Sequence, residues 1–436
     1  MPERYDVIVV GGRCAGASLA TLLARAGLRT CVVDRAGFPS DTPSTHGIQP
    51  TGVKVLERLG VLDALLEVSS PIVDGTLVFE DVRVEVSGLL EMVGAPMVNV
   101  RRVTLDAILL EAAAGAGAAV RTRTAVTGLV ETGGRVTGVE TAAGELRAPL
   151  VVGADGARST VARLVGAAEY HRTAPGRAFL WTYFEGVEAD PHRVWLGSVA
   201  DHGFLASPTD AGLFMAAVTP SIERRAELRR DREGGYAAGL AHWPELNAIA
   251  ATGRQAAPIQ MMARWHGFFR ESAGPGWALV GDAGHFKDPT PGQGIADALR
   301  QAEELTGAIE TALGDGTDPD AVLRDWWSWR DRDAWEMYWF AREMGASGPS
   351  RLLDREVLRR VASDPRRVAD LARVLNHDLP PSKLFSPSLA LSTLGEALLR
   401  HPGQRRRLLA EAGELAAAQL RRGRKGLALR LGYRPS

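Results

Sequence analysis

The chain has 436 residues, 45% of them hydrophobic and 24% charged, with a formal net charge of −1. This is the composition of a globular protein long enough for two or three domains, and the near-zero charge excludes a general nucleic-acid binder. No apolar run approaches the roughly 20 residues of a spanning helix, so integral membrane association is not expected.

The first predicted unit is strand, turn, helix, strand. Tyr5-Asp6-Val7-Ile8-Val9-Val10 is a short β-branched run suited to a buried parallel strand. Gly11-Gly12-Arg13-Cys14-Ala15-Gly16 follows, then a small-residue helix from about Cys14 to Ala26, then Thr30-Cys31-Val32-Val33-Asp34. Gly11 allows a tight turn and Gly16 a close helix–strand approach. The free N–H groups at the helix start suit a pyrophosphate, and Asp34 suits a ribose hydroxyl. The middle glycine of the G-x-G-x-x-G pattern is Arg13 here, whose guanidinium is expected to contact the pyrophosphate instead. Cys14 is expected to be a small packing residue. With Cys31 it is one of two cysteines, which gives no disulfide framework and fits a reducing cytoplasm. A strand beginning at residue 5 leaves no room for a signal peptide, so a cytoplasmic location is expected.

After the proline-rich stretch Phe38 to His46, Val55, Leu59, Leu62 and Leu66 predict a helix. Short strand-like pieces run from about Ile72 to Asn99. Thr104 reads as the N-cap of a helix carrying Leu105, Ile108, Leu109 and Ala112. Residues 118–153 read as a β-meander returning to Leu150-Val151-Val152, and Arg177 to Pro220 as an antiparallel sheet rich in aromatics. A charged helix is expected over Ile222 to Leu240, a buried strand at Trp277-Ala278-Leu279-Val280 and a long helix from Ile295 to Ala312. Everything after about Pro319 is helical in pattern, with breaks at Gly348-Pro349, Pro380-Pro381 and Pro387.

Two later segments carry more specific chemistry. Val151-Val152-Gly153-Ala154-Asp155-Gly156 and Leu279-Val280-Gly281-Asp282 each run a hydrophobic strand into an aspartate within a glycine turn. That geometry points a carboxylate into the crevice at the carboxyl edge of a parallel sheet. The second continues through His285, Lys287, Asp288, Pro289 and Gly292-Gln293-Gly294, so the following helix aims its positive N-terminus at the same place.

In this order and spacing the three segments, over roughly residues 5–320, resemble the flavoprotein monooxygenase family of the single-component aromatic hydroxylase type, related to geranylgeranyl-reductase-like and flavin-dependent halogenase branches. The resemblance implies an α/β, overall α+β, fold: a Rossmann-like FAD-binding domain (1–70, 97–176 and 271–320), an inserted antiparallel-sheet substrate domain (71–96 and 177–270) and a C-terminal helical region (321–436). It implies FAD in an extended form, with NADPH or NADH as reductant and O2 as co-substrate. The implied cofactor residues are Gly11, Gly12, Arg13, Ala15, Gly16, Asp34, Arg35 and Arg102 for the nucleotide half and Asp155-Gly156 for FAD and nicotinamide. Gly281, Asp282, Pro289, Gly292, Gln293, Gly294 and Ile295 would hold the ribityl chain and ring. Two positions depart from the pattern: the arginine expected after Ser159 is displaced to Arg163, with Ala162 in its place, and Ala296 replaces an asparagine. The tryptophan-rich marker of halogenases is absent, and halogenation is not expected.

The expected reaction is hydroxylation or epoxidation of an apolar, aromatic or polycyclic small molecule through a flavin C4a-hydroperoxide. Backbone N–H groups at Gly292 to Ile295 would stabilise the anionic reduced ring. His46, His285 and Lys287 are the candidate catalytic side chains, His46 having a loop-stabilising alternative. No metal site or nucleophilic triad is expected. The Arg and Ala abundance suggests a high-GC bacterial gene and a setting in secondary metabolism. An alkene reductase and a redox-silent FAD-binding cyclase are the alternatives. Trp326, Trp327, Trp329, Trp335 and Trp339 read either as a docking helix or as an aromatic wall, and Trp181, Tyr183, Trp195 and Phe204 divide the same way. The basic stretch from His401 to Ser436, nine Lys/Arg against two Glu, reads as a solvated face, with membrane-surface contact as the second reading.

Overall fold

The computed structural model describes residues 3–314 and 316–430. The expected segments 1–70, 271–320 and 321–436, and the basic stretch ending at Ser436, each include residues outside this range. The central layer is a six-stranded sheet. Four of its strands are β1 (Val7–Val10), β2 (Thr30–Val33), β3 (Ala119–Arg121) and β4 (Leu150–Gly153), with helix α1 (Cys14–Arg25) between β1 and β2 and helix α2 (Arg102–Gly115) before β3. The sheet order is Ala273–Gly274, Trp277–Leu279, β4, β1, β2, β3, parallel throughout except for the first pair.

Both faces are covered, which is why the strands read as unbroken apolar runs. Val7, Val9 and Val32 point toward helices, where Leu19, Leu23, Leu105 and Leu109 complete the core. Ile8, Cys31 and Val151 point the other way, against Val136, Val139 and Leu146 of a meander of strands Val126–Thr132, Arg135–Thr141 and Gly144–Arg147.

The second sheet contains β5 (Phe179–Glu185) and β6 (Leu213–Thr219), paired antiparallel. Its order is Arg254–Gln255, β5, β6, His202–Pro208, Arg193–Val199, Asp74–Phe79, Val82–Val86. The all-antiparallel expectation breaks at one point, since Arg193–Val199 and Asp74–Phe79 run parallel. Period-two alternation divides β5. Leu180 and Phe184 join a core with Trp195, Phe204 and Tyr236, while Phe179, Trp181 and Tyr183 face the opposite side with Met215 and Met262.

Helix α3 (Gly294–Ala312) packs on α1, and α4 (Pro319–Met344) packs on α3. Trp326 and Trp327 of α4 are buried in the main core, and the Trp327 indole N–H donates to the Tyr170 hydroxyl at 2.8 Å. Beyond it lie Leu352–Ala362, α5 (Pro365–Leu375), Pro381–Leu384, Pro387–Arg400 and Arg405–Arg430. Proline opens several of these helices because its missing N–H costs nothing at the first position. Among the described residues no helix is long and apolar enough to cross a membrane.

Three local expectations are corrected. Thr104 is not an N-cap: α2 begins at Arg102, and the Thr104 hydroxyl donates to Asp210 Oδ2 at 2.6 Å. The helix expected over Ile222 to Leu240 is broken at Asp231, whose carboxylate caps the Arg232–Leu240 helix by accepting from Gly234 N–H at 2.8 Å. The helix containing Val55 to Leu66 divides at Gly60, which has φ +69°.

Gly16 is fixed by contact. A Cβ there would lie 1.8 Å from the Gly11 carbonyl oxygen and 3.1 Å from the Ala154 Cβ. Gly16→Ala is therefore expected to cost about 1–3 kcal/mol of stability through overpacking, read as a lowered urea midpoint at unchanged slope.

Candidate functional site

The carboxyl edge of the parallel sheet opens into an elongated cavity of about 640 Å³. Three backbone turns form its floor. After β1, Gly11 has φ +105°, and a Cβ there would stand 2.5 Å from the Ala154 oxygen. After β4, Gly156 has φ +78° with open space where a Cβ would project. After Trp277–Leu279, Gly281 has φ +62° and lies against Ala15 at the start of α1.

Most of the expected cofactor residues line this cavity: Gly11, Arg13, Ala15, Asp34, Arg35, Arg102, Asp155, Gly156, Gly281, Asp282, Pro289, Gly292, Gly294 and Ile295. His46, His285 and Lys287 do so too. Gly12, Gly16 and Gln293 support the wall from behind. Gly12 N–H donates to Asp34 Oδ2 at 2.7 Å, and Ala36 N–H to Asp34 Oδ1 at 2.8 Å, so β2's terminal carboxylate is set by the first turn.

Arg13 lines the cavity as one member of a buried charge cluster. Its Nη1 pairs with Asp106 Oδ2 at 2.6 Å and its Nη2 donates to Ser40 Oγ at 2.9 Å. Arg102 pairs with the other oxygen of the same carboxylate at 2.9 Å, and the Cys14 thiol donates to it at 3.4 Å. Asp106 is fully buried, and its two arginines leave one net positive charge at the cavity wall. Sequence reasoning missed Asp106, although an acid between Leu105 and Leu109 on an apolar stripe, four residues after Arg102, was a legible sign. Cys14 is a buried packing residue as expected, its thiol pushed up to about 12 by burial.

Asp155 divides its two oxygens. Oδ2 accepts from Thr160 N–H at 2.6 Å and from Val161 N–H at 3.3 Å, capping a short helix, while Oδ1 is buried without a hydrogen-bond partner. Arg163, the displaced arginine, is exposed, and Ala162 is buried. Burial pushes the Asp282 carboxyl up to about 6, against the opposing influence of Arg102.

The cavity wall from Lys287 to Asp297 is held from the C-terminal helices. Lys287 is not free: its Nζ pairs with Asp297 Oδ2 at 2.6 Å and donates to Gln293 Oε1 at 2.6 Å. Asp297 also meets His377 Nδ1 at 2.9 Å, and although burial opposes it, Lys287 and His377 hold its carboxyl well below the usual range. Gln293 Nε2 donates to the Leu375 carbonyl at 2.7 Å, at the end of α5. Asp297 and His377 were not expected from sequence, because their partners lie 80 residues apart. The first N–H groups of α3 receive no side-chain cap and abut the cavity. Ala296, where an asparagine was expected, packs against Gly52, on which a Cβ would lie 2.8 Å from it.

His285 is buried against Phe269, ring centroids 4.6 Å apart; burial holds it neutral, and its Nε2 has no hydrogen-bond partner. His46 is buried with φ +63°, its Nε2 hydrogen-bonded to the Tyr183 hydroxyl. None of Trp326, Trp327, Trp329, Trp335 and Trp339 lines the cavity, so the docking-helix reading holds; from the second sheet it is Phe179 and Trp181 that do.

A sequence model of the FAD binding domain family matches residues 4–341. Rifampicin monooxygenase of Streptomyces venezuelae is 27% identical over 339 residues, 73% of this chain and 66% of that protein. Menaquinone reductase of Mycolicibacterium smegmatis is 30% identical over 327 residues, 70% of this chain and 77% of that protein. 6-Methylpretetramide 4-monooxygenase of Streptomyces rimosus is 35% identical over 169 residues, 37% of this chain and 40% of that protein. The matched region thus spans slightly under two thirds of the first of these relatives and less than half of the third. Among solved structures, the flavin-dependent brominase Bmp2 superposes with TM-score 0.70 at 19% identity, covering 91% of this chain and 100% of that one. PqsL of P. aeruginosa superposes with TM-score 0.67 at 21% identity, covering 85% and 99%. These superpositions establish a shared fold.

The raised Asp282 carboxyl has a pH consequence. Its neutral form is favoured in the folded state, so its contribution is fully present below the ordinary value of 3.8 and is lost as pH rises through about 6. In flavin-free protein, Asp282→Asn is expected to gain on wild type across that window, reaching about 1–2 kcal/mol at pH 8. Urea unfolding at pH 4 and pH 8 measures this, and an equal gap at both would refute the assignment.

Proposed function

This chain belongs to the FAD binding domain family, and on that premise we propose that it is an FAD- and NAD(P)H-dependent monooxygenase that hydroxylates or epoxidises an apolar aromatic or polycyclic small molecule. The observation that carries the reading is the convergence of three separated turns on one cavity, which Asp34 and the uncapped start of α3 also line. The monooxygenase relatives and the aromatic lining from Phe179, Trp181 and Phe286 support it.

The residues present fit FAD. One net positive charge remains at the wall where Arg13 and Arg102 share Asp106, which suits a pyrophosphate. Gly156 and Gly294 leave open the space that a Cβ would fill, and Asp155 Oδ1 is a buried acceptor without a donor. FAD held by these residues would supply the redox chemistry, acceptance of hydride from a nicotinamide and activation of O2.

This chain's own groups do the rest. Asp34 has lone pairs left to accept from ribose hydroxyls after binding the Gly12 and Ala36 N–H groups. Asp282, open to the cavity, suits the hydroxylated chain between the two halves. The first N–H groups of α3, which lack a side-chain cap, would stabilise negative charge on a ring bound beside them. Lys287, neutralised by Asp297, holds Gln293 and hence the Pro289–Gly292 turn. Phe179, Trp181 and Met262 exclude water from the reacting face.

A second reading, reduction of a quinone or alkene, is favoured by the menaquinone reductase relative, which combines 30% identity with cover of 77% of its length. Oxygen separates the two. Substrate-stimulated NAD(P)H oxidation with ¹⁸O from ¹⁸O2 in the product supports the monooxygenase. Anaerobic turnover to a reduced product supports the reductase, and product formed without reduced coenzyme would support the cyclase.

Two variants test the site. Asp282→Ala is expected to lower FAD content several-fold, and full retention of yellow colour would refute that placement. Gly294→Val is expected to keep the flavin-free melting temperature while FAD content falls at least tenfold, read from absorbance after reconstitution.

A further inference from the structure

We propose that the Tyr183 hydroxyl, by donating to His46 Nε2, fixes an imidazole Nδ1–H in the cavity wall, and that this donor selects an uncharged ring substrate bearing an acceptor oxygen such as a ketone. The inference rests on the flavoenzyme reading above and names its substrate class.

Proton direction follows from the donors present. Trp181 and Tyr183 lie two residues apart on the same face of β5. The Tyr183 hydroxyl has a single proton, and His46 Nε2 is its hydrogen-bond partner among the described residues. The phenol therefore spends its own proton on His46 Nε2. With Nε2 accepting, the neutral imidazole carries its proton on Nδ1. Burial supports both protonation states, pushing Tyr183 up to about 12 and His46 down to about 3. His46 is 1% exposed, lies in the cavity wall, and its Nδ1 is buried with no partner within the protein. A buried donor left unmade costs about 1–3 kcal/mol, which a ligand acceptor would recover. The loop backbone is shaped for this placement, with His46 at φ +63° and its N–H donating to Ser44 Oγ at 3.0 Å.

Charge decides the rest of the substrate class. The two cations that act on His46 are each paired, Arg101 with Asp210 at 3.0 Å and Arg102 with Asp106, and Lys287 is paired with Asp297. The other walls here are Phe179, Trp181, Met262 and Phe286. A carboxylate would find no cation beside His46 that lacks a carboxylate partner already, whereas a neutral ring with one oxygen satisfies the wall. His285 Nε2, a second buried nitrogen without a partner in the same cavity, also suits an oxygen-bearing ligand over a hydrocarbon.

The test uses FAD-loaded full-length protein and three probes: tetralin, 1-tetralone and 1-naphthoate. Binding is read from the flavin absorption difference spectrum and from tryptophan quenching, without turnover. Wild type is expected to bind 1-tetralone at least tenfold more tightly than tetralin and 1-naphthoate no better than tetralin. Tyr183→Phe, which removes one oxygen, is expected to shrink the ketone preference several-fold while leaving tetralin affinity unchanged. His46→Gly, which accepts the positive φ, is expected to abolish the preference, and imidazole added to the buffer to restore it. Equal affinity for ketone and hydrocarbon in wild type, preference retained in His46→Gly, or tight naphthoate binding would each overturn the proposal while a yellow protein leaves the flavoenzyme reading standing. A protein that takes up no FAD would overturn both.

Discussion

How closely backbone approaches backbone at the carboxyl edge of the parallel sheet governs the rest of this molecule. A side chain at Gly11 would meet the carbonyl of Ala154, one at Gly16 would meet the carbonyl of Gly11, and Gly281 rests on Ala15. Because these turns carry no Cβ at the contact, the ends of β1, β4 and the Trp277–Leu279 strand share one floor. Their N–H groups and carboxylates then face a single cavity, where side chains at those positions would hold the turns apart.

Bringing so many polar groups to one buried edge has a cost, and the chain offsets it by pairing. Asp106 is shared by Arg13, Arg102 and the Cys14 thiol; Asp297 by Lys287 and His377; Asp210 by Arg101 and Thr104. Each carboxylate would be expensive alone, since an unpaired buried charge destabilises far more than a complete pair stabilises. Fixed in this way, the pairs position loops more than they hold the fold together: Arg13 binds the Ser40 loop, and Asp210 joins the second sheet to the first turn of α2.

The C-terminal helices take part in the site without lining its floor. Asn376 accepts the Thr51 N–H at 2.7 Å and Gln293 holds the carbonyl of Leu375, so the end of α5 is tied to the segment before α3 and to the helix at Pro50–Arg58. Residues far beyond the family match thereby set the cavity wall around Gln293 and Asp297, and α4 packs into the main core through Trp326 and Trp327.

Local chemistry is what the sequence by itself determined. The β-branched runs, the glycine turns and the terminal aspartates specified the parallel sheet and the three cavity segments, because strand period, turn conformation and helix start each depend on a few neighbouring residues. The sequence also indicated the helical C-terminal region and its proline breaks. Partnership was decided only in three dimensions. Arg13 pairs with Asp106, 93 positions away, Lys287 pairs with Asp297, and Thr104 turned from an expected cap to a donor for Asp210. His46 met Tyr183 across 137 positions. Spacing along a chain fixes which face a side chain occupies, whereas its partner depends on how whole elements pack, and that is a property of the assembled core.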